Sequence, residues 1–112
     1  MSKLRNDYNY GWQQLHGAVH CLAGSGIQRL RLAYAAAALH NHTVLQNPKN
    51  HLPKEIRDEY IEFVRKMSSV KATGDEGNFQ ATVNTLDEME MNRATEKILS
   101  FYDTICRYQR RH

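Results

Sequence analysis

Apolar side chains recur at steps of three and four residues along almost the whole chain, and this spacing restricts the possible fold more than any other feature. Residues at these steps share one face of an α-helix, whereas a half-buried strand needs alternation with a period of two. No segment shows sustained alternation of that kind. The 112 residues also match the size of one ordinary domain. We therefore predict a single all-α domain, residues 1–112, folded as a compact antiparallel bundle of four longer helices and one short helix.

Most of the predicted helices carry one apolar stripe that should face the core. The second helix, from about residue 26 to the low forties, carries two arcs instead. The polar segment 68–78 contains two glycines and is predicted to be a mobile connection. The stripes are Tyr8, Trp12, Leu15, Val19 and Leu22 in the first helix, Ile56, Tyr60, Phe63, Val64 and Met67 in the third, Phe79, Val83 and Leu86 in the short helix, and Met91, Ile98, Phe101, Tyr102, Ile105 and Tyr108 in the last.

Capping residues mark where several of these helices begin. Ser25 before Gln28, and Asp87 before Glu90, have the spacing of a capping box, in which two side chains satisfy free backbone amides at a helix start. The other predicted boundaries are a loop over residues 47–53, Pro53 at the first position of the third helix, and Asn78 as the cap of the short helix.

Charge is unevenly distributed along the chain. The net charge is +3, yet no acidic residue occurs between Asp7 and Glu55. This stretch therefore offers no carboxylate for general acid or base catalysis, although its four basic residues could attract a polyanion. No apolar run is long enough for a membrane span, the first residues are charged and polar, and the two cysteines lie far apart. These features predict a soluble cytoplasmic protein without a membrane partner.

The second helix is apolar on two nearly opposite sides, which indicates a helix packed between neighbours or one that contributes to an interface. One arc consists of Ile27, Leu30, Tyr34, Ala37 and Ala38. The other consists of Leu32, Ala35, Ala36 and Leu39. Two interpretations remain open, namely a central helix within the monomer and a homodimer. The favoured one is a homodimer whose seam is Leu32, Ala35, Ala36 and Leu39.

Six histidines raise the question of a metal site. His16 and His20 are four residues apart, so both imidazoles lie on one helix face, and His40 and His42 could add ligands. No carboxylate neighbours them in sequence to orient the rings, and Gly17 occupies the glutamate position of an HExxH motif. The sequence therefore predicts neither a metal site nor a cofactor.

No arrangement of nucleophile and base is evident. Adjacent helix positions do not face each other, so His20 is poorly placed to activate Cys21, and Cys106 beside Ile105 is expected to be a small buried hydrophobe. The spacing from Arg107 to His112 resembles the R-x-x-x-x-H motif of HEPN-type ribonucleases, which are helical bundles that dimerise around it. Here Tyr108 follows the arginine, where that family commonly has a polar residue. The alternative is a basic helix end that complements the helix dipole.

A wider resemblance spans most of the chain. It rests on Trp12, Leu15-His16, Ala18-Val19 and Leu22, then Ile27, Arg29-Leu30 and Ala33-Tyr34, then Leu52-Pro53 and Ile56-Arg57, then Phe79-Gln80-Ala81-Thr82, and finally Ile98-Leu99-Ser100 with Tyr102-Asp103. This order resembles a group of short uncharacterised bacterial helical proteins. The resemblance implies the helical fold, a bacterial source and a cytoplasmic setting, and it implies no activity.

From these features we predict a non-enzymatic protein-interaction or regulatory module that acts as a homodimer. The alternative is a nucleic-acid-associated accessory protein. Its binding residues would be Arg29, Arg31, Arg107, Arg110 and Arg111.

Overall fold

The computed structural model describes residues 8–109, and within this range the chain forms helices and no strand. The predicted all-α class is confirmed, and so are four longer helices. The bounds are α1 Asn9–Ala23, α2 Gln28–Ala38, α3 His42–Gln46, α4 Pro48–His51, α5 Arg57–Met67, α6 Gly77–Val83 and α7 Glu88–Cys106, with a 3-10 turn over Lys54–Ile56 ahead of α5. Between residues 8 and 109, no helix is both long and apolar enough to cross a lipid bilayer.

The first helix lies between α2 and α7 and runs antiparallel to both. The side chain of Asn41, just beyond α2, donates to the Tyr10 hydroxyl near the start of α1. On the other side, Gln109 donates to Asn9 at 3.0 Å, and the Tyr8 and Tyr108 rings meet edge to face with centroids 5.4 Å apart. The start of α1 and the end of α7 therefore meet at one pole of the molecule.

The predicted apolar stripes form one core. Leu15, Tyr60, Ile98 and Ile105 are each fully buried, and Phe101 packs against the rings of α5. Apart from tyrosines, one polar side chain among the described residues is buried. It is Thr82, whose hydroxyl donates to the carbonyl of Asn78 and accepts from the amide of Val70. Among residues 8–109, the one buried side-chain nitrogen or oxygen without a hydrogen-bond partner is Nε of Arg31.

Residues 47–53 do not form the predicted loop. They contain α4, and Leu52 and Pro53 are both buried. Pro53 precedes the 3-10 turn and so does not occupy the first position of α5. The backbone here packs tightly against α1, because a Cβ atom built on Gly11 would lie 2.0 Å from the carbonyl oxygen of His51. The close approach to a glycine explains why this segment is part of the core.

One of the two predicted capping boxes is confirmed. Asp87 accepts from the amide of Glu90 at 2.8 Å, and Glu90 accepts from the amide of Asp87 at 2.9 Å. The prediction for Ser25 is wrong, because Ile27 occupies the N-cap position of α2 and no side chain caps that helix.

The predicted cap of the short helix is also wrong. α6 begins at Gly77, and the side chain of Asn78 instead accepts from the amide of Ala72. This bond and the one between Thr82 and Val70 attach the connection over residues 68–78 to α6. The mobility of this connection stays a prediction.

Candidate interaction surface

The predicted dimer seam lies inside the monomer. Leu32, Ala35, Ala36 and Leu39 each have no exposed surface. α2 packs against α1 most extensively, then against α6, and also against α5 and α7. The short alanine side chains allow these neighbours to approach closely, so the alanine-rich arc becomes the buried one. The assignment of these four residues to an interface is therefore wrong in this fold, and the interpretation of α2 as a central helix holds for this arc.

The opposite arc of α2 is the one that stays exposed. Ile27 is 65% exposed, Leu30 39% and Tyr34 61%. With Ala37, which is also exposed, they follow the spacing i, i+3, i+7 and i+10, and therefore lie on one side of the helix. We call these four residues the α2 outer face. Ala38, which the sequence grouped with them, is half-buried against the core.

The α2 outer face has no charged residue, and the two arginines of this helix are directed toward the chain itself. Arg29 donates from Nη1 to the carbonyls of Val83 and Leu86, near the end of α6, at 2.6 and 2.9 Å. Arg31 donates to the carbonyl of Leu22 at the end of α1, at 3.4 Å. Both arginines are half-buried.

These contacts also bear on the predicted nucleic-acid residues. Arg29 and Arg31 each donate from Nη1 to backbone carbonyls near helix ends, so part of each guanidinium has a partner within the chain, and their role in nucleic-acid binding stays a prediction. Arg107 forms an exposed ion pair with Asp103 at 3.0 Å. Arg110 and Arg111 lie outside the described residues, as does His112 of the ribonuclease-like spacing. The three described arginines of this set therefore each contact a group of their own chain.

Of the four histidines considered as metal ligands, two lie together and the other two lie elsewhere. His16 and His20 contact each other, with 3.1 Å between their Nε2 atoms, and His16 also contacts Trp12 and Tyr102. We call these four residues the imidazole cluster. His40 lies elsewhere, against the ring of Phe79, and His42 is exposed on α3. Within residues 8–109, no three His, Cys, Asp or Glu side chains converge as a complete metal site would require.

The two cysteines lie apart, and a groove runs between α5 and α7. Cys21 and Cys106 are free, half-buried thiols on different helices. A shallow groove between α5 and α7 has an apolar floor that includes Phe63 and Met67. Its charged lining consists of Lys66, Glu90, Arg93 and Lys97. Lys97 also pairs with the exposed Glu59 at 3.3 Å.

The sequence analysis placed the interface on the arc of α2 that the structure buries, whereas the α2 outer face is the arc that stays exposed. Periodicity identified both arcs but could not show which one neighbouring helices would cover. Side-chain size at the middle of each arc distinguishes the two. The buried arc has the adjacent Ala35 and Ala36 there, which allow close packing, whereas the exposed arc has the bulkier Leu30 and Tyr34.

No protein-family model, curated protein or solved structure matches this chain. The resemblance to short bacterial helical proteins, with the source and location that it implies, stays a prediction.

Proposed function

We propose that the chain is a non-enzymatic interaction module that forms a homodimer through the α2 outer face. The observation that carries this proposal is the exposure of Ile27, Leu30 and Tyr34 side by side on a helix whose opposite side is completely buried. Single exposed apolar residues are common on protein surfaces, whereas a contiguous apolar face is typical of an interaction site.

The spacing of this face suits a second copy of the same chain. Consider two antiparallel α2 helices related by a two-fold axis at the level of residue 32, whose buried side chain lies on the other side of the helix. In this register Leu30 of one copy meets Tyr34 of the other. In the same register Ile27 meets Ala37, so a large side chain opposes a small one. A two-fold symmetric contact requires this kind of self-complementary patch.

The size of the interface points to a contribution from α1. At 1.5 Å per residue, α2 is only about 16 Å long, and stable interfaces usually bury roughly 800 Å² on each partner. Tyr10 on α1 is 37% exposed and lies beside the end of α2, where it contacts Asn41. We therefore place the α1–α2 hairpins of the two copies against each other as a four-helix arrangement.

The α2 outer face has no charged side chain of its own, so two copies can bury it without burying a charge. The flanking Arg29 and Arg31 donate to carbonyls of their own chain. The association should also depend little on salt, since apolar burial provides most of its free energy.

Sedimentation velocity tests this proposal with a matched pair of variants. Tyr34→Glu places a charge on the α2 outer face, and Met89→Glu does the same on α7 at an equal exposure of 61%. We expect the unmodified chain and Met89→Glu to have twice the 13.0 kDa mass of one chain. Tyr34→Glu should weaken the dimer by about 2 kcal/mol, which is roughly 30-fold in dissociation constant. Its far-UV circular dichroism spectrum should match that of the unmodified chain. A chain that stays monomeric at every concentration would contradict the proposal.

A further inference from the structure

The imidazole cluster has a geometry that holds two ring nitrogens close together on the surface of α1. The Nε2 atoms of His16 and His20 are 3.1 Å apart, and the rings are inclined at 67° with centroids separated by 4.5 Å. His20 is exposed and His16 is half-buried, so solvent reaches the pair.

Two neighbours fix the position of the His16 ring. Trp12 stacks on it nearly parallel, with an interplanar angle of 17° and a centroid distance of 4.5 Å. Tyr102 on α7 lies with its hydroxyl 3.2 Å from Nδ1 of His16. Contact with a second helix and an indole face therefore restricts this ring before any ligand binds.

The Tyr102 hydroxyl can accept a hydrogen bond from Nδ1 of His16, at 3.2 Å. In this tautomer Nε2 of His16 carries no proton and accepts from Nε2 of His20. Histidine ligands of metals usually donate their second ring nitrogen to such a partner, which orients the ligand.

We propose that His16 and His20 chelate one divalent transition-metal ion through their Nε2 atoms. Metal–nitrogen distances of about 2.0–2.1 Å across this separation give an N–metal–N angle of roughly 95–102°. That angle lies between the square-planar or octahedral value and the tetrahedral one. A bound ion replaces the hydrogen bond between the two Nε2 atoms. The proton on Nε2 of His20 then goes to solvent while Nδ1 of the same ring takes one up, so the number of bound protons does not change.

The donor set indicates which ions bind and how firmly. Imidazole nitrogen suits Cu²⁺, Ni²⁺ and Zn²⁺, whereas Ca²⁺ and Mg²⁺ prefer oxygen ligands. Two protein ligands leave the other coordination positions to water. The bound ion therefore exchanges with solution, in contrast to a four-ligand structural zinc site.

Trp12 provides the readout, because it is the only tryptophan of the chain and stacks directly on a ligand. The chain, purified without an affinity tag, is titrated with Ni²⁺ or Cu²⁺ while tryptophan emission is followed. We expect saturable quenching with one ion per chain. His20→Ala should weaken the binding at least about 10-fold, and His42→Ala, an exposed histidine on α3, should leave it unchanged.

Tyr102→Phe separates positioning from general packing. It should weaken metal binding by roughly 10-fold. It should also move the ¹⁵N shifts of metal-free His16 away from the Nδ1–H tautomer, which a loss of packing alone would not do. Quenching that never saturates would overturn the proposal, and so would equal effects of His20→Ala and His42→Ala. The Tyr34→Glu variant, in which the dimer should be weakened, should bind the metal as the unmodified chain does, so this test is independent of the dimer.

Discussion

Two glycines on α1 have opposite surroundings although they are six residues apart. A Cβ atom on Gly11 would lie 2.0 Å from the His51 carbonyl oxygen and 3.3 Å from a methyl group of Ile105. A Cβ atom on Gly17 would have no neighbour within 4 Å. The first glycine is required for contact between α1 and α4, whereas the second is not required by any contact within the described chain.

Alanine substitution should therefore act in opposite directions at the two positions. Gly17→Ala should stabilise the chain by about 0.5–1 kcal/mol, because alanine favours the helix and restricts the unfolded state. Gly11→Ala should destabilise it, since the carbonyl of His51 must move to relieve the clash. Urea unfolding measures both changes. Stabilisation by Gly11→Ala would show that α4 does not pack on α1 in this way.

At the scale of elements, the start of a helix depends on more than the spacing of two residues. Asp87 occupies the N-cap of α7 and completes its capping box. Ser25 has an equivalent partner at Gln28, but α2 begins only at Gln28. Gly26, with φ of 109°, keeps the chain in a turn, and Ile27 extends it further. Ser25 therefore lies two residues before the N-cap, and no side chain caps α2.

Alanine at these two positions distinguishes a working cap from an unused one. Asp87→Ala should lower the free energy of unfolding by about 1 kcal/mol, because the Glu90 amide loses its acceptor. Ser25→Ala should change it by less than about 0.5 kcal/mol. Chemical denaturation of the two variants in parallel provides the comparison. Equal losses would mean that Ser25 also caps a helix in solution.

The sequence predicts elements whose own pattern determines them. The stripe of α5 and the acidic start of α7 are local features, and both are confirmed. The short helices α3 and α4 were not predicted. The side chain of Asn41 caps α3 by accepting from the amide of Val44. The segment of α4 depends on the approach of His51 to Gly11 on another helix. For α2, periodicity predicted two apolar arcs, but the arrangement of its neighbours determined which arc is exposed.

The imidazole cluster also combines a local sequence feature with a contact that depends on the fold. The four-residue step from His16 to His20 is visible in the sequence and places both rings on one helix face. Tyr102, which contacts His16, comes from a helix 86 positions later. No local pattern predicts that partner, because it depends on how α7 packs against α1.

At the scale of the whole molecule, the buried phenol of Tyr60 makes the free energy of unfolding depend on pH in alkaline solution. Tyr60 has no exposed surface and donates to the carbonyl of Leu39 at 2.9 Å, which joins α5 to the end of α2. Burial raises the pKa of Tyr60 well above its ordinary range, since the phenolate would lose its hydration. The folded chain therefore holds this proton at a pH where the unfolded chain releases it.

Stability should accordingly decrease in alkaline solution. Below about pH 10 both states keep the proton, and the contribution of Tyr60 is fully present. Above that pH the unfolded state loses the proton first, so the free energy of unfolding falls by up to about 1.4 kcal/mol per pH unit. Urea unfolding at several alkaline pH values measures this slope. Tyr60→Phe should reduce it, whereas the exposed Tyr34→Phe should not, and equal slopes would contradict this role for Tyr60.

The side-by-side position of Asn9 and Gln109 has a consequence for how the fold can be extended. The described part of the chain starts and ends at the same pole. The turn between α1 and α2 lies one helix length away, about 22 Å for fifteen residues. Residues 8–109 therefore have the geometry of an insert, since Asn9 and Gln109 could join two neighbouring points of a host chain while the α1–α2 turn projects away from that junction.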